Sequence, residues 1–340
     1  MGYFPRQCFR DSSTGQVDTE RSRWLSWLLG LAVLFGVVIA ARHFSEEKAF
    51  VRLAREAKLL WVLAALTLQA ATYLAQGEIW RTVGRMAGTP LAVTLVYKLT
   101  LAKLFFDQAL PSAGLSGTVV VAQVLAEQGA LPRSAVFAGA VVNTTSFFIA
   151  YATALAAAIT ILFFLGHASF VLVSPSVLFI FLSVALVVGI QAFSGRDVLG
   201  GRPHWLFRYR AIQNAAGVMK DADLQLVHNV RLQLIASCFQ LVTFLLDAAT
   251  LWLLIRSLGA TARLSHVFAS FMIANLVRTV SFIPGGLGTF EAAAVLMLKM
   301  DGVSLAVGLS TALLFRGLTF FLPMAPGLWF SRRVNRHRTL

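Results

Sequence analysis

Residues 278–329 read RTVSFIPGGLGTFEAAAVLMLKMDGVSLAVGLSTALLFRGLTFFLPMAPGLW. Most of this stretch would dissolve in a bilayer, yet it holds a Pro-Gly-Gly-Leu-Gly break, a carboxylate at Glu291 and an arginine at Arg316. Lipid penalises both exposed non-helical backbone and charge, so such features persist at membrane depth only where they face protein or a wet cavity. Proline ends a helix because it lacks an amide donor. Glycines let the backbone turn and approach a ligand closely. A helix restarting near Gly288 would present free N–H groups and a positive dipole end, which is a site for an anion such as phosphate. Glu291 in its first turn suits that dipole and is also readable as a simple cap. Arg316 suits a phosphate or carboxylate, and equally a buried pair with Glu291.

The composition supports the membrane reading. Of 340 residues, 58% are apolar and 13% charged, against roughly 25% charged in a soluble domain. The net charge of +14 fits basic loops retained in the cytoplasm better than nucleic-acid binding, since no basic-aromatic module is visible. Cys8 and Cys238 are too far apart in sequence to suggest a disulfide framework. No metal-site spacing, P-loop, dinucleotide fingerprint or nucleophile elbow occurs, so no cofactor is expected.

Spanning-length apolar runs fall near 24–41, 57–76, 91–110, 134–165, 174–192, 231–255, 264–283 and 303–330. The run 24–41 is expected to be an uncleaved first helix. Two shorter stretches, 114–128 and 284–300, each follow a proline and several glycines and read as half-helices. The fold class is therefore all-α and integral to the membrane, with about eight long transmembrane helices and two short broken ones. Trp24, Trp27, Trp61, Trp80, Trp252 and Trp329 sit near the ends of these runs, as interfacial aromatics do.

LPSAGLSGT at 110–118 and IPGGLGTFE at 283–291 align at an offset of 173 residues, which also places Gly129 on Gly302 and Asn143 on Arg316. The chain divides accordingly: an N-terminal tail, first helix and link (1–56), a first repeat with an extra helix (57–192), a polar insert (193–230), a second repeat (231–330) and a basic tail (331–340). If both short segments cross, the second repeat is inverted; if they re-enter, the repeats would be parallel. The basic insert and basic tail should share the cytoplasmic side, which favours crossing. Inverted repeats with broken helices meeting at the midplane are a transporter plan.

Seven charges fall within apolar runs: Lys98, Lys103, Asp107, Asp247, Arg278, Glu291 and Arg316. Each costs about 2.5–3.5 kcal/mol at a helix centre, so pairing is expected. Lys103 and Asp107 are four apart on one helix face and can neutralise each other. The candidate substrate site comprises Pro284, Gly285, Gly286, Gly288, Glu291, Arg316, Arg278, Asp107, Lys103, Pro111, Gly114 and Asn143. Half-helix starts after Pro111 and Pro284 would hold a phosphate. Arg316 and Arg278 would add positive charge, and Glu291 and Asp107 would take a cationic group or a coupling proton.

FIPGGLGTFEAAAV at 282–295 and LLFRGLTFFLP at 313–323 resemble the lysylphosphatidylglycerol synthase transmembrane-domain family. That family comprises the membrane half of the multiple-peptide-resistance factor and its stand-alone relatives. Its Pro-Gly-Gly-Leu-Gly-x-x-Glu signature falls on Pro284 to Glu291 and its later arginine on Arg316, whereas Ala113 and Ser116 depart from the glycines of relatives at the first break. The resemblance implies a flippase of the bacterial cytoplasmic membrane with a cytoplasmic C-terminus. Its lipid would be anionic, aminoacylated, hopanoid or polyprenyl-linked. With the sequence ending at Leu340, the tRNA-dependent synthase domain of two-part relatives is not expected, nor is enzymatic activity. An integral-membrane transferase and a non-catalytic partner of a separate lipid-modifying enzyme are the competing readings. A homo-oligomer is a further partner to consider.

Overall fold

The computed structural model describes residues 57–109, 115–194, 222–281 and 283–323. The helix expected at 24–41, the segments 1–56 and 331–340, and most of the 193–230 insert lie outside the described residues, as do Pro111 and Gly114. Among the described residues the chain is helical, without a strand. The helices are α1 (Leu59–Met86), α2 (Val93–Ala109), α3 (Leu115–Glu127), α4 (Arg133–Phe164), α5 (Phe170–Phe193), the single turn α6 (Leu224–Val227), α7 (Val230–Ser257), α8 (Leu264–Val280), α9 (Thr289–Met300) and α10 (Leu305–Arg316). A 3-10 turn at Pro284–Gly286 precedes α9, and a wider π turn at Gly317–Phe321 extends α10. Side-chain oxygens fix several starts: Asn229 accepts from the Leu232 amide and Ser304 from that of Val307.

α1, α4, α5 and α7 are each long and apolar enough to cross a bilayer. Their outward faces are built of residues such as Leu63, Phe163, Leu178 and Phe181, at least half exposed, which lipid would cover. The runs expected to span at 91–110 and 264–283 behave differently. α2 and α8 have 17 residues each, and each is the first arm of a hairpin. Val96 and Leu99 of α2 cluster with Val121 and Leu125 of α3, and the Gly117 amide donates to Asp107. The second hairpin pairs Phe271 of α8 with Phe290 of α9, while Ser270 donates to Asp301 just beyond α9. A hydropathy profile cannot distinguish an arm that stops half-way from one that crosses, since both are apolar.

The first helices of the two repeats, α1 and α7, pack directly and run antiparallel. The Lys58 amide donates to the Ser257 carbonyl, and Trp61 meets Trp252 edge-on at 6.2 Å. Further along, Ile79 and Val83 share a cluster with Leu232 and Ala236. Early residues of one helix thus meet late residues of the other, as inversion requires. The parallel alternative fails because both arms of each hairpin return together. An odd number of crossings then remains between the repeat starts. The hairpin bases sit at opposite ends of the long helices: Leu91 and Leu131 cluster with Trp80 near the end of α1, whereas Asp301 meets His266 and the α4–α5 link at His167.

Trp80 corrects one expectation. It is 2% exposed and packs against Gly139, where any β-carbon would collide with the indole. It is a packing residue rather than an interfacial anchor. Trp61 and Trp252 do sit at helix ends, and Trp252 Nε1 donates to the Ala262 carbonyl.

Candidate functional site

The hairpin tips converge on a cavity of about 350 Å³, the size of a small-ligand pocket. It is bounded by the middle portions of the long helices: Gln69, Thr72 and Tyr73 from α1, Asn143 and Phe147 from α4, and Gln240, Thr243 and Asp247 from α7. Lys103 and Asp107 enter from the first hairpin. Asn275, Arg278, Gly285 and Gly286 enter from the second, and Arg316 from α10. Of the expected site residues, Lys103, Asp107, Asn143, Arg278, Gly285, Gly286 and Arg316 line one space. Gly288 and Glu291 shape the turn behind it.

The turn is held by a dense set of bonds. Arg316 Nε donates to Glu291 Oε1 at 2.8 Å, and one terminal nitrogen donates to the carbonyls of Gly285 (2.6 Å) and Gly286 (3.0 Å). The guanidinium also lies over the rings of Phe290 and Phe320, at 4.9 and 5.4 Å. Glu291 Oε2 accepts from the Gly288 amide at 2.7 Å. The backbone has positive φ at Gly285, Gly286 and Gly288, open to glycine at little cost. At Gly286 space matters as well, because a β-carbon would overlap the Arg278 side chain.

Two amides of this break are already engaged. The Gly288 amide is taken by Glu291, the Gly286 amide by the Ile283 carbonyl, and the carbonyls of Gly285 and Gly286 turn toward Arg316. Arg316 and Glu291 form the buried pair, with side-chain exposures of 5% and 7%. α8 offers donors to the cavity. Arg278 uses Nε to donate to Asn275 Oδ1 at 2.9 Å, and among the described residues its terminal nitrogens make no hydrogen bond or ion pair. The Asn275 amide nitrogen is buried without an acceptor.

The first hairpin uses milder chemistry. Lys103 and Asp107 pair at 2.7 Å, as their spacing suggested, and Asp107 Oδ1 accepts from the Gly117 amide at 2.7 Å. Asn143 donates to Thr118 Oγ1 at 2.9 Å. At the repeat offset Thr118 corresponds to Glu291 and Asn143 to Arg316, so one contact recurs in both halves. Lys98 is exposed and does not line the cavity. The sequence reading missed Gln69, Thr72, Thr118, Gln240 and Asn275. The signal for them was present, since uncharged amides and hydroxyls in apolar runs also cost energy unless they are used.

The family model for the lysylphosphatidylglycerol synthase TM region matches residues 27–327. The chain belongs to that family. A UPF0104 membrane protein of Methanothermobacter thermautotrophicus is 32% identical over 91 residues, a match covering 27% of each chain. As a member of the lysylphosphatidylglycerol synthase TM family with four helices of spanning length and apolarity among its described residues, the chain is a multi-pass membrane protein.

Proposed function

We propose that this protein moves a lipid between leaflets by admitting its phosphate-bearing headgroup to the cavity while the acyl chains stay in the surrounding lipid. The observation that carries this reading is the pair of unused donors, Arg278 and the Asn275 amide, facing a polar chamber at mid-length of apolar helices. An arginine held by its Nε keeps its terminal nitrogens for a phosphate, and burial strengthens such a contact. Two hairpins enter from opposite ends of the long helices, an arrangement suited to alternating access. The cytoplasmic membrane of a bacterium, with the insert and C-terminus on the cytoplasmic side, is the setting that fits the basic segments. An anionic, aminoacylated, hopanoid or polyprenyl-linked lipid, a separate enzyme that modifies it, and a second copy of this chain are the partners in this reading. The chain would move the lipid rather than modify it.

The test is leaflet exchange in proteoliposomes. A fluorescent phosphatidylglycerol in the inner leaflet should become accessible to an external quencher with wild-type protein, and far more slowly with Arg278→Gln. Equal rates for wild type, Arg278→Gln and empty vesicles would remove the reading.

A further inference from the structure

Among the described residues, three cations and three carboxylates stand in or directly behind the cavity: Lys103, Arg278 and Arg316, with Asp107, Asp247 and Glu291. Two couples are closed. Lys103 pairs with Asp107, and Arg316 with Glu291; each of these carboxylates spends its other oxygen on a backbone amide that fixes a hairpin. Both oxygens of each carboxylate are thus engaged. The third couple is open. Asp247 Oδ1 is buried without a hydrogen-bond donor, and Asp247 and Arg278 line one cavity with no ion pair between them. Gln69 and Gln76 line the same cavity as Asp247, and their side-chain carbonyl oxygens are buried and unpaired. A buried acceptor without a donor is costly, and more so when charged. One proton on Asp247 would turn it from an unpaired acceptor into a donor toward such an oxygen.

We propose that Asp247 is a proton-binding site whose occupancy is linked to that of the phosphate site on Arg278. The linkage follows from charge. With the cavity empty, Asp247 carboxylate offsets Arg278 and the six groups sum to zero. A phosphodiester on Arg278 adds one negative charge, leaving Asp247 beside a second anion in a site of low polarity, which favours its neutral form. The step forms one O–H bond on Asp247 and breaks one in water; nothing else is transferred. Headgroup and proton thus enter and leave together, and a proton gradient can drive the lipid. The other ionisable groups facing this point are Tyr73 from α1, Lys103 and Asp107 from α2, Tyr151 from α4 through Thr279, and Arg316 from α10 with Glu291 of α9 behind it.

This inference rests on the phosphate reading of the cavity, so its test is separate from lipid movement. In purified full-length protein, infrared spectra across a pH series should show a titrating protonated-carboxyl band that Asp247→Asn removes. If that variant does not fold, Asp247→Glu should shift the band. In weakly buffered solution, adding short-chain phosphatidylglycerol should draw up close to one proton per bound headgroup, and short-chain diacylglycerol none. Arg278→Gln should abolish the uptake. A band unchanged by either substitution at Asp247, uptake equal for both lipids, or uptake replaced by sodium binding would each overturn the proposal. Proton uptake without leaflet exchange in vesicles would retain the linked sites and remove the transport reading alone.

Discussion

The two hairpins perform one task with different chemistry. In each, a residue early in the returning helix bonds to one on the helix after it: Thr118 to Asn143 in the first, Glu291 to Arg316 in the second. In each, a carboxylate accepts from a backbone amide near the start of the returning arm. Asp107 does so from the arm before the break, whereas Glu291 does so from within the arm itself. A contact can therefore survive divergence while its charge does not. Neutral bonding suffices where Lys103 already balances Asp107. The second turn has carbonyls of two glycines aimed inward, and only a fully charged multi-donor group such as arginine satisfies them together with a carboxylate.

That contrast predicts the largest effect at the ionic pair. Glu291→Ala strands a buried guanidinium and uncaps the Gly288 amide. It should cost about 3–5 kcal/mol, seen as a lowered Tm or loss of monodisperse protein in detergent. The double variant Glu291→Thr, Arg316→Asn copies the first hairpin into the second. It should recover part of that loss, because no charge is left unpaired. It should not recover all of it, because the Gly285 and Gly286 carbonyls lose their donor. Additive losses would show that the recurring contact is not one interacting unit.

Asp107→Ala should come next. It leaves Lys103 unpaired and the Gly117 amide without its acceptor, a loss of about 1–3 kcal/mol. Here the comparison sharpens, because Lys103 is partly accessible, with 16% of its side chain exposed, and can turn toward water in the cavity as buried Arg316 cannot. Lys103→Met combined with Asp107→Asn should restore much of the stability, measured by thermal unfolding in detergent.

Gly286→Ala tests the turn itself. A side chain at φ of 61° is strained by about 1–3 kcal/mol, and its β-carbon would displace Arg278. Phosphatidylglycerol binding, followed by calorimetry in detergent, should weaken beyond what the Tm loss explains. Weakened stability with unaltered binding would disconnect the turn from Arg278.

How much of this was legible beforehand depends on what hydropathy measures. The break at Pro284–Gly288, the Glu291–Arg316 pair as one of two options, and the Lys103–Asp107 pair followed from residue type and spacing. The depth reached by α2 and α8 did not, because an apolar run reports removal from water and not how far the helix travels. Trp80 was misplaced for the same reason: closeness to the end of a run does not say which face of the helix an indole occupies. Thr118 was overlooked because attention went to charges, although the offset of 173 that tied Asn143 to Arg316 also tied Thr118 to Glu291. Asp247 and Arg278 were recognised as costly residues, but their remaining unpaired is a property of three-dimensional placement.

The smallest effect is expected at that overlooked threonine. Thr118→Val removes the hydroxyl that accepts from Asn143 while keeping its volume. Interhelical hydrogen bonds of this kind are worth about 0.6 kcal/mol in membrane proteins, because the separated helices find other partners. Asn143 keeps the bond at its oxygen, since Gln240 donates to its Oδ1 at 3.4 Å, while its Nδ2 loses the Thr118 acceptor. The expected outcome is a Tm shift small beside that of Glu291→Ala. Thr118→Glu with Asn143→Arg would install the ionic version, yet the first hairpin already carries the Asp107–Lys103 pair. A gain in stability there would contradict the view that the first hairpin dispenses with an ion pair at this position because its charges are already balanced.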